Sequence, residues 1–263
     1  MLFLLLQGIS LFALIRFNNY HQAVFFSTSS QVNGNILTQR KNVINYFSLQ
    51  SENQKLKNEN ILLRTRGTEN FIFISDDTLL AKDSAKKLLY SYIPATVIYN
   101  NIRKQKNYFT INRGYAQGVE KNMGVISPQG VAGKIVDVSE NFSVAMSILN
   151  SDFILTPKIA GEVRFGKLSW NGSNPDYVQI QNVSNHYDIK VGQEVATTPF
   201  ADLFPDGVAI GNISKVSKSE NNKYWVLEVK LSTDMTRLGE VYIIKNLFKK
   251  ELDQLQDKYI NEE

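Results

Sequence analysis

From Ala95 to Ile244 apolar residues recur at every second position, in short runs broken by glycine, proline and asparagine. A period of two sends alternate side chains to opposite faces of a pleated strand. This part of the chain is therefore built to bury one face of a sheet, and not the stripe of a helix. Thr96–Tyr99, Tyr108–Asn112, Gly124–Ser127, Val131–Val138 and Val144–Leu149 read as strands. A second run follows: Glu162–Leu168, Tyr177–Gln181, Glu194–Thr197, Val208–Val216, Tyr224–Lys230 and Glu240–Ile244. Pro128-Gln129-Gly130 fits a type I turn, so Val125 to Val138 is expected to be a hairpin. Strands this short and closely spaced belong to small barrels or sandwiches. The expected fold class is mainly β, with barrel domains over 92–160 and 161–246 and a polar tail over 247–263. In the tail Leu252, Leu255 and Tyr259 share one helical stripe.

The N-terminal third has a different pattern. Leu2 to Phe17 reads LFLLLQGISLFALIRF, in which only Gln7, Ser10 and Arg16 are polar or charged. The run is somewhat short of the ~20 residues that span a bilayer. Three readings stay open: a membrane anchor, a cleaved signal peptide and a buried helix. A signal peptide ordinarily has a basic region before its apolar run, and only Met1 precedes Leu2 here. The anchor leads, with 1–26 as transmembrane helix and interface. Phe17, Tyr20, Phe25 and Phe26 would then lie at the membrane–water boundary. Arg16, Arg40 and Lys41 follow the segment, so the positive-inside rule read literally places the body in the cytoplasm. The abrupt start is read as a few residues missing before Met1.

Residues 27–91 are expected to form a helical, coiled-coil linker. Ile36 to Arg66 lacks proline, and Leu49, Leu56 and Leu63 fall every seventh residue. With these at d, Tyr46, Asn53 and Asn60 occupy a. Leucine at d with asparagine at a favours a parallel dimer, in which the buried amide sets register. The competing reading is an amphipathic helix packed on its own body. Phe71 to Ile74 is either a strand or continuing helix. Thr78 to Tyr90 looks helical, and Pro94 marks a boundary.

The residues that carry chemistry are scarce. The 263-residue chain has no cysteine and two histidines, which removes disulfides, thiolates and cysteine-bound zinc. His21 follows the apolar segment. His186 stands in the polar loop Ser184-Asn185-His186-Tyr187-Asp188, with no nucleophile motif to serve. Asp76, Asp77 and Asp83 lack the spacing of a calcium loop. A net charge of +4 is spread along the chain, without the dense block that follows a phosphate backbone. No catalytic residue, cofactor, metal or nucleic acid is expected. Gly114, Gly118, Gly130, Gly133, Gly207 and Gly211 are read as structural turn glycines. Phe200, Leu203 and Phe204 are the candidate partner contact, against the alternative that they close a barrel end.

Two stretches resemble the MreC family, the bitopic rod-shape-determining proteins of bacterial cell-wall elongation. The first is Ile111-Asn-Arg-Gly114, Gln117-Gly118-Val119, Asn122-Met123-Gly124-Val125 and Gly130-Val-Ala-Gly133-Lys134-Ile135-Val136. The second is Val191-Gly-Gln-Glu-Val195-Ala-Thr-Thr, then Leu203-Phe-Pro-Asp-Gly207-Val-Ala-Ile-Gly211-Asn-Ile213. Arg16 to Tyr20 with Val24 to Ser27 is similar to members from Bacteroidota-like bacteria. Gln193-Glu194 and Thr198-Pro199 depart from the pattern, which usually has aspartate beside the first glycine and Ser-Gly at the second place. The resemblance implies a single-pass protein of the inner membrane with its bulk in the periplasm. It also implies self-association, binding to MreD, to the MreB-associated complex and to a class B penicillin-binding protein, and no enzymatic activity. The runner-up is a periplasmic adaptor of an efflux or secretion system. Such adaptors insert a helical hairpin between β halves, whereas the heptads here precede every clear strand. A membrane-anchored hydrolase with a trypsin-like barrel is disfavoured by the missing nucleophile.

Overall fold

A computed structural model describes residues 1–17, 51–65, 71–74, 85–159, 166–198, 203–219 and 223–260. The chain divides into two units, Met1–Glu59 and Asn60–Glu263. In the first, α1 (Leu2–Phe17) has 16 residues and carries no charge before Arg16. At 1.5 Å per residue it is roughly 24 Å long, less than the ~30 Å of bilayer hydrocarbon. Among the described residues no helix is long and apolar enough to cross a membrane. A second helix, α2, covers residues 51–65, and its last turn belongs to the second unit.

The second unit begins its sheets with β1 (Phe71–Ile74) and β2 (Ala85–Leu88), an antiparallel pair with Phe71 opposite Leu88. This corrects the helical reading of Thr78 to Tyr90 over its described part, from Ala85 onward, while residues 51–65 of the linker are helical as expected. Leu79, Leu80, Leu88 and Leu89 mimic helical spacing. Phe71-Ile72-Phe73-Ile74, however, is all aromatic and β-branched, which favours a pleat and gives Ala85–Leu88 a strand to pair with. β3 (Tyr90–Asn100) then runs straight through Pro94. β4 (Lys106–Ile111) pairs β3 only at Val97–Asn100, so proline sits where β3 has no neighbour on that side.

The remaining strands are β5 (Gly124–Ile126), β6 (Val131–Val138), β7 (Ser143–Asn150), β8 (Pro157–Ile159), β9 (Lys167–Ser169), β10 (Tyr177–Ser184), β11 (Glu194–Thr197), β12 (Ala209–Lys218), β13 (Tyr224–Leu231) and β14 (Glu240–Asn246). The chain ends in the helix α3 (Lys249–Ile260). β14-β3-β4-β7-β6-β5 close into a barrel. In β4, Asn107, Phe109 and Ile111 are buried and their neighbours are not. Phe109, Ile111, Val125, Ile135 and Ala145 are fully enclosed in the core. Strand 240–246 was expected in the second domain, but it closes the first. Val241 to Ile244 are apolar on both faces. They need a barrel interior on one side and a cover on the other, and a sheet edge offers neither.

The second expected barrel is instead a six-stranded sheet in the order β8-β11-β12-β13-β10-β9. It curls until its edges touch at one bridge, where the Leu168 amide donates to the Leu155 carbonyl over 2.9 Å. β8 and β9 have three residues each, too short to zip the two edges together. Ile159, Leu168, Val178, Ile180, Val195, Ile210, Ile213, Leu227 and Val229 fill the concave side.

Candidate interaction surfaces

α2 carries the expected seam. Asn53, Leu56, Asn60 and Leu63 are all exposed; Leu56 keeps 53% of its surface and Leu63 63%. Tyr46 and Leu49 lie outside the described residues. Leucines seven apart in a helix are separated by roughly 10.5 Å along one side, and among the described residues nothing covers that side. The opposite side is used: Ile61 packs against the core. Arg64 Nη2 donates to the Pro128 carbonyl over 3.0 Å, and its guanidinium lies 5.4 Å from the centre of the Tyr242 ring. An open cleft of about 460 Å³ lies beside this contact, lined by Arg64, Tyr92, Pro128, Pro205 and Asp206 among others.

The described part of the loop expected to hold the partner contact lies mostly inside. Phe204 is 0% exposed and Leu203 half-buried, while Phe200 and Asp202 lie outside the described residues. A Cβ on Gly124 would come within 2.9 Å of the Phe204 ring and would overlap the Leu203 carbonyl. The loop from the second sheet is thus pressed onto β5 of the barrel, and Phe204 is corrected from a partner contact to a plug between the two β bodies. Thr197, itself buried, fastens the loop: its hydroxyl donates to the Pro205 carbonyl and accepts from the Val208 amide over 2.9 Å. Asp206 is held by Lys158 at 2.7 Å.

The six glycines divide by physical reason. Gly118 and Gly207 have φ of +82° and +79°, where a Cβ is penalised. Gly114, Gly130, Gly133 and Gly211 lie outside the left-handed region, so their reason is close approach. An added Cβ would overlap the carbonyl oxygen of Ser139, Ala209, Met146 and Lys230 respectively. Gly130 therefore belongs to the contact between the barrel and the second sheet. There Ser127 Oγ also meets Thr233 Oγ1 at 2.8 Å, with both residues buried.

The groups whose ionisation is displaced lie at the surface. His186 is exposed in its loop. Asp152 is held below the usual carboxylate range by the hydrogen bond from Lys106, which is raised in turn. Lys121 lowers Asp137 by the same means, and the Thr236 hydroxyl lowers Asp234. Among the described residues no three His, Asp or Glu gather to hold a metal ion. Sequence reasoning missed an exposed apolar wall on the barrel, made by Ile98 (55% exposed), Tyr99 (62%) and Tyr108. A bulge between Val97 and Tyr99 shifts the parity of β3, and strict alternation in the sequence gives no sign of it.

Residues 97–245 match the family model described as rod shape-determining protein MreC, barrel core. The match begins in β3 and ends in β14, the two strands that pair to close the barrel. The cell shape-determining protein MreC of Listeria monocytogenes is 26% identical over 159 residues, 59% of this chain and 54% of that protein. That of Haemophilus influenzae is 24% identical over 213 residues, 78% of this chain and 58% of that protein. The chain thus spans little more than half the length of these curated relatives. A solved structure of MreC from Listeria monocytogenes superposes with a TM-score of 0.56 at 22% identity, covering 87% of this chain and 95% of that one. The crystal structure of MreC from Pseudomonas aeruginosa gives 0.53 at 18% identity, covering 58% and 98%.

Proposed function

We infer, since this chain belongs to the MreC family of rod shape-determining proteins, that it is a non-enzymatic scaffold that maintains rod shape. α1 tethers it to the inner membrane as a single-pass anchor, and the β body lies in the periplasm. It self-associates through α2. Its partners are MreD, the MreB-associated complex and a class B penicillin-binding protein, so that it joins the shape-determining machinery inside the cell to wall synthesis outside. The observation that carries the reading is an exposed leucine stripe, Leu56 and Leu63, together with a β body in which Lys106, Asp152, Lys121, Asp137 and Asp234 serve ion pairs and a turn. Such a molecule has surfaces to offer, and binding is the work left to it. The test is depletion in a rod-shaped host, with affinity capture of the full chain from native membranes. Rounded cells and co-purified wall-synthesis enzymes are expected. Retained rods, with no wall-synthesis enzyme captured, overturn the scaffold reading in favour of the transport adaptor.

A further inference from the structure

Two cations stand at the tip of the β3–β4 hairpin. Arg103 and Lys104 are exposed, and among the described residues neither makes an ion pair. Asp152, the carboxylate beside the tip, is taken by Lys106 at 2.7 Å, and Asp234 by the Thr236 hydroxyl. The tip is held by two asparagines that are 0% exposed. Asn107 Oδ1 accepts from the Lys104 amide over 2.9 Å, and its Nδ2 donates to the carbonyls of Lys104 and Leu149 over 2.7 and 2.6 Å. Asn150 Nδ2 donates to the Asn107 carbonyl over 3.0 Å, and its Oδ1 accepts from the Asp152 amide over 2.9 Å. A buried amide is costly unless its hydrogen bonds are made, so a satisfied pair like this fixes one loop conformation. The hairpin therefore presents its two cations on a rigid support, with little backbone left to order when a ligand arrives.

The same hairpin carries the exposed apolar wall. Tyr99 pairs with Thr110 across β3 and β4, and the Asn101 amide donates to the Tyr108 carbonyl over 3.2 Å. Tyr99 and Tyr108 are thus diagonal neighbours on the outer face, within reach of each other, and the bulge adds Ile98 beside them. None of the three lines the cleft beside Arg64; they project from the barrel. Protein hot spots pair with pockets, whereas a lipid surface needs none. Outward tyrosines, an isoleucine and unpaired cations match the boundary of a bilayer, where tyrosine is favoured and lysine and arginine are drawn to anionic headgroups. We propose that this hairpin docks on an anionic lipid surface, with Arg103 and Lys104 on lipid phosphates and Ile98, Tyr99 and Tyr108 among the headgroups. The inference rests on α1 being the membrane anchor, which keeps the body beside a bilayer; it adds a second, charge-dependent hold on that surface.

The chain lacks cysteine, so Thr110→Cys gives a unique thiol next to both tyrosines for an environment-sensitive fluorophore. Val191→Cys, at a position 64% exposed in the second sheet, gives the control. The full chain is placed in lipid nanodiscs. In phosphatidylglycerol discs the label at 110 shifts to the blue and is quenched by spin-labelled lipid, and the label at 191 does neither. In phosphatidylcholine discs the shift at 110 is lost. Arg103→Gln with Lys104→Gln lowers the docked-to-free ratio about thirtyfold, at roughly 1 kcal/mol per basic residue. Tyr99→Ser with Tyr108→Ser lowers it at unchanged lipid charge. Thermal unfolding, expected to be unchanged for exposed side chains, reports whether the body is intact. The lipid exchange needs no change at 99, 103, 104 or 108, so it decides even where one of these variants unfolds. If the chain does not co-elute with the discs, the anchor reading fails and the proposal with it. If it co-elutes and the label at 110 responds alike in both lipids, the anchor stands and lipid docking is overturned. A blue shift without quenching by spin-labelled lipid marks a protein contact and overturns it as well.

Discussion

At the scale of single residues, Phe204 decides between two roles for one loop. A fully buried ring between two β bodies is expected to lose about 3–5 kcal/mol on Phe204→Ala, through lost burial and the cavity left behind. Chemical denaturation of the soluble body measures it. Unchanged stability together with lost partner binding would return Phe204 to the surface role that an aromatic beside proline suggests. Gly133 is expected to be nearly as intolerant. A methyl group there meets the Met146 carbonyl, and overpacking of that kind typically costs about 1–3 kcal/mol. The Lys106–Asp152 pair at 2.7 Å gives a pH prediction. The carboxyl is held below its ordinary 3.8, so its contribution is present above that value and is lost as pH falls through the lowered one. The ammonium is held above 10.5, so its contribution is present below that value and is lost as pH rises through the raised one. Lys106→Met should move the Asp152 titration, followed by carboxyl-carbon NMR, back up toward 3.8; an unmoved midpoint would show that the ion pair is not formed. Residue identity alone indicated that glycines matter in this chain. It did not separate Gly207, which needs a positive φ, from Gly133, which needs room for a carbonyl, because the second reason depends on a strand elsewhere.

At the scale of elements, α2 is the part whose behaviour is set by what it leaves uncovered. Leu56→Ala and Leu63→Ala remove exposed side chains, so the body's unfolding should shift by less than about 0.5 kcal/mol. Sedimentation of the full chain in detergent should nonetheless show weaker association. Asn53→Val with Asn60→Val should strengthen association and admit other oligomers, because the amides that a dimer would bury to fix its register are gone. A normal dimer population after both leucine changes would contradict the seam. Period-two alternation made most strands legible: Val131–Val138 and Glu194–Thr197 form as read, and β10, β12, β13 and β14 differ only at their ends. β2 was not legible. Ala85-Lys-Lys-Leu88 has no alternation of its own, and its strand character comes from pairing with Phe71–Ile74. The outward turn of both Ile98 and Tyr99 was hidden for a related reason, since a bulge is a property of two strands in register.

At the scale of the whole molecule, the barrel depends on a strand from the far end of the chain. Ile243 pairs with Ile93 on one side and Val125 on the other. Removing residues 240–263 should therefore unfold β3 to β7, whereas removing 249–263 should leave them folded; hydrogen exchange of the barrel amides distinguishes the two. Local sequence gave no hint of this closure, because Glu240–Ile244 reads as one more strand after five others and nothing nearby says which sheet it joins. The same limit made the second body read as a barrel, when among the described residues its short edges meet only at Leu155 and Leu168. The central claim is that this body acts on cell shape by being held together through α2. The most direct test is complementation of depleted rod-shaped cells with the full chain carrying Leu56→Asp and Leu63→Asp, scored as the ratio of cell length to width. The variant, folded and present at the wild-type level, should leave the cells round while the unaltered chain restores rods. Rods restored equally by both would contradict the account.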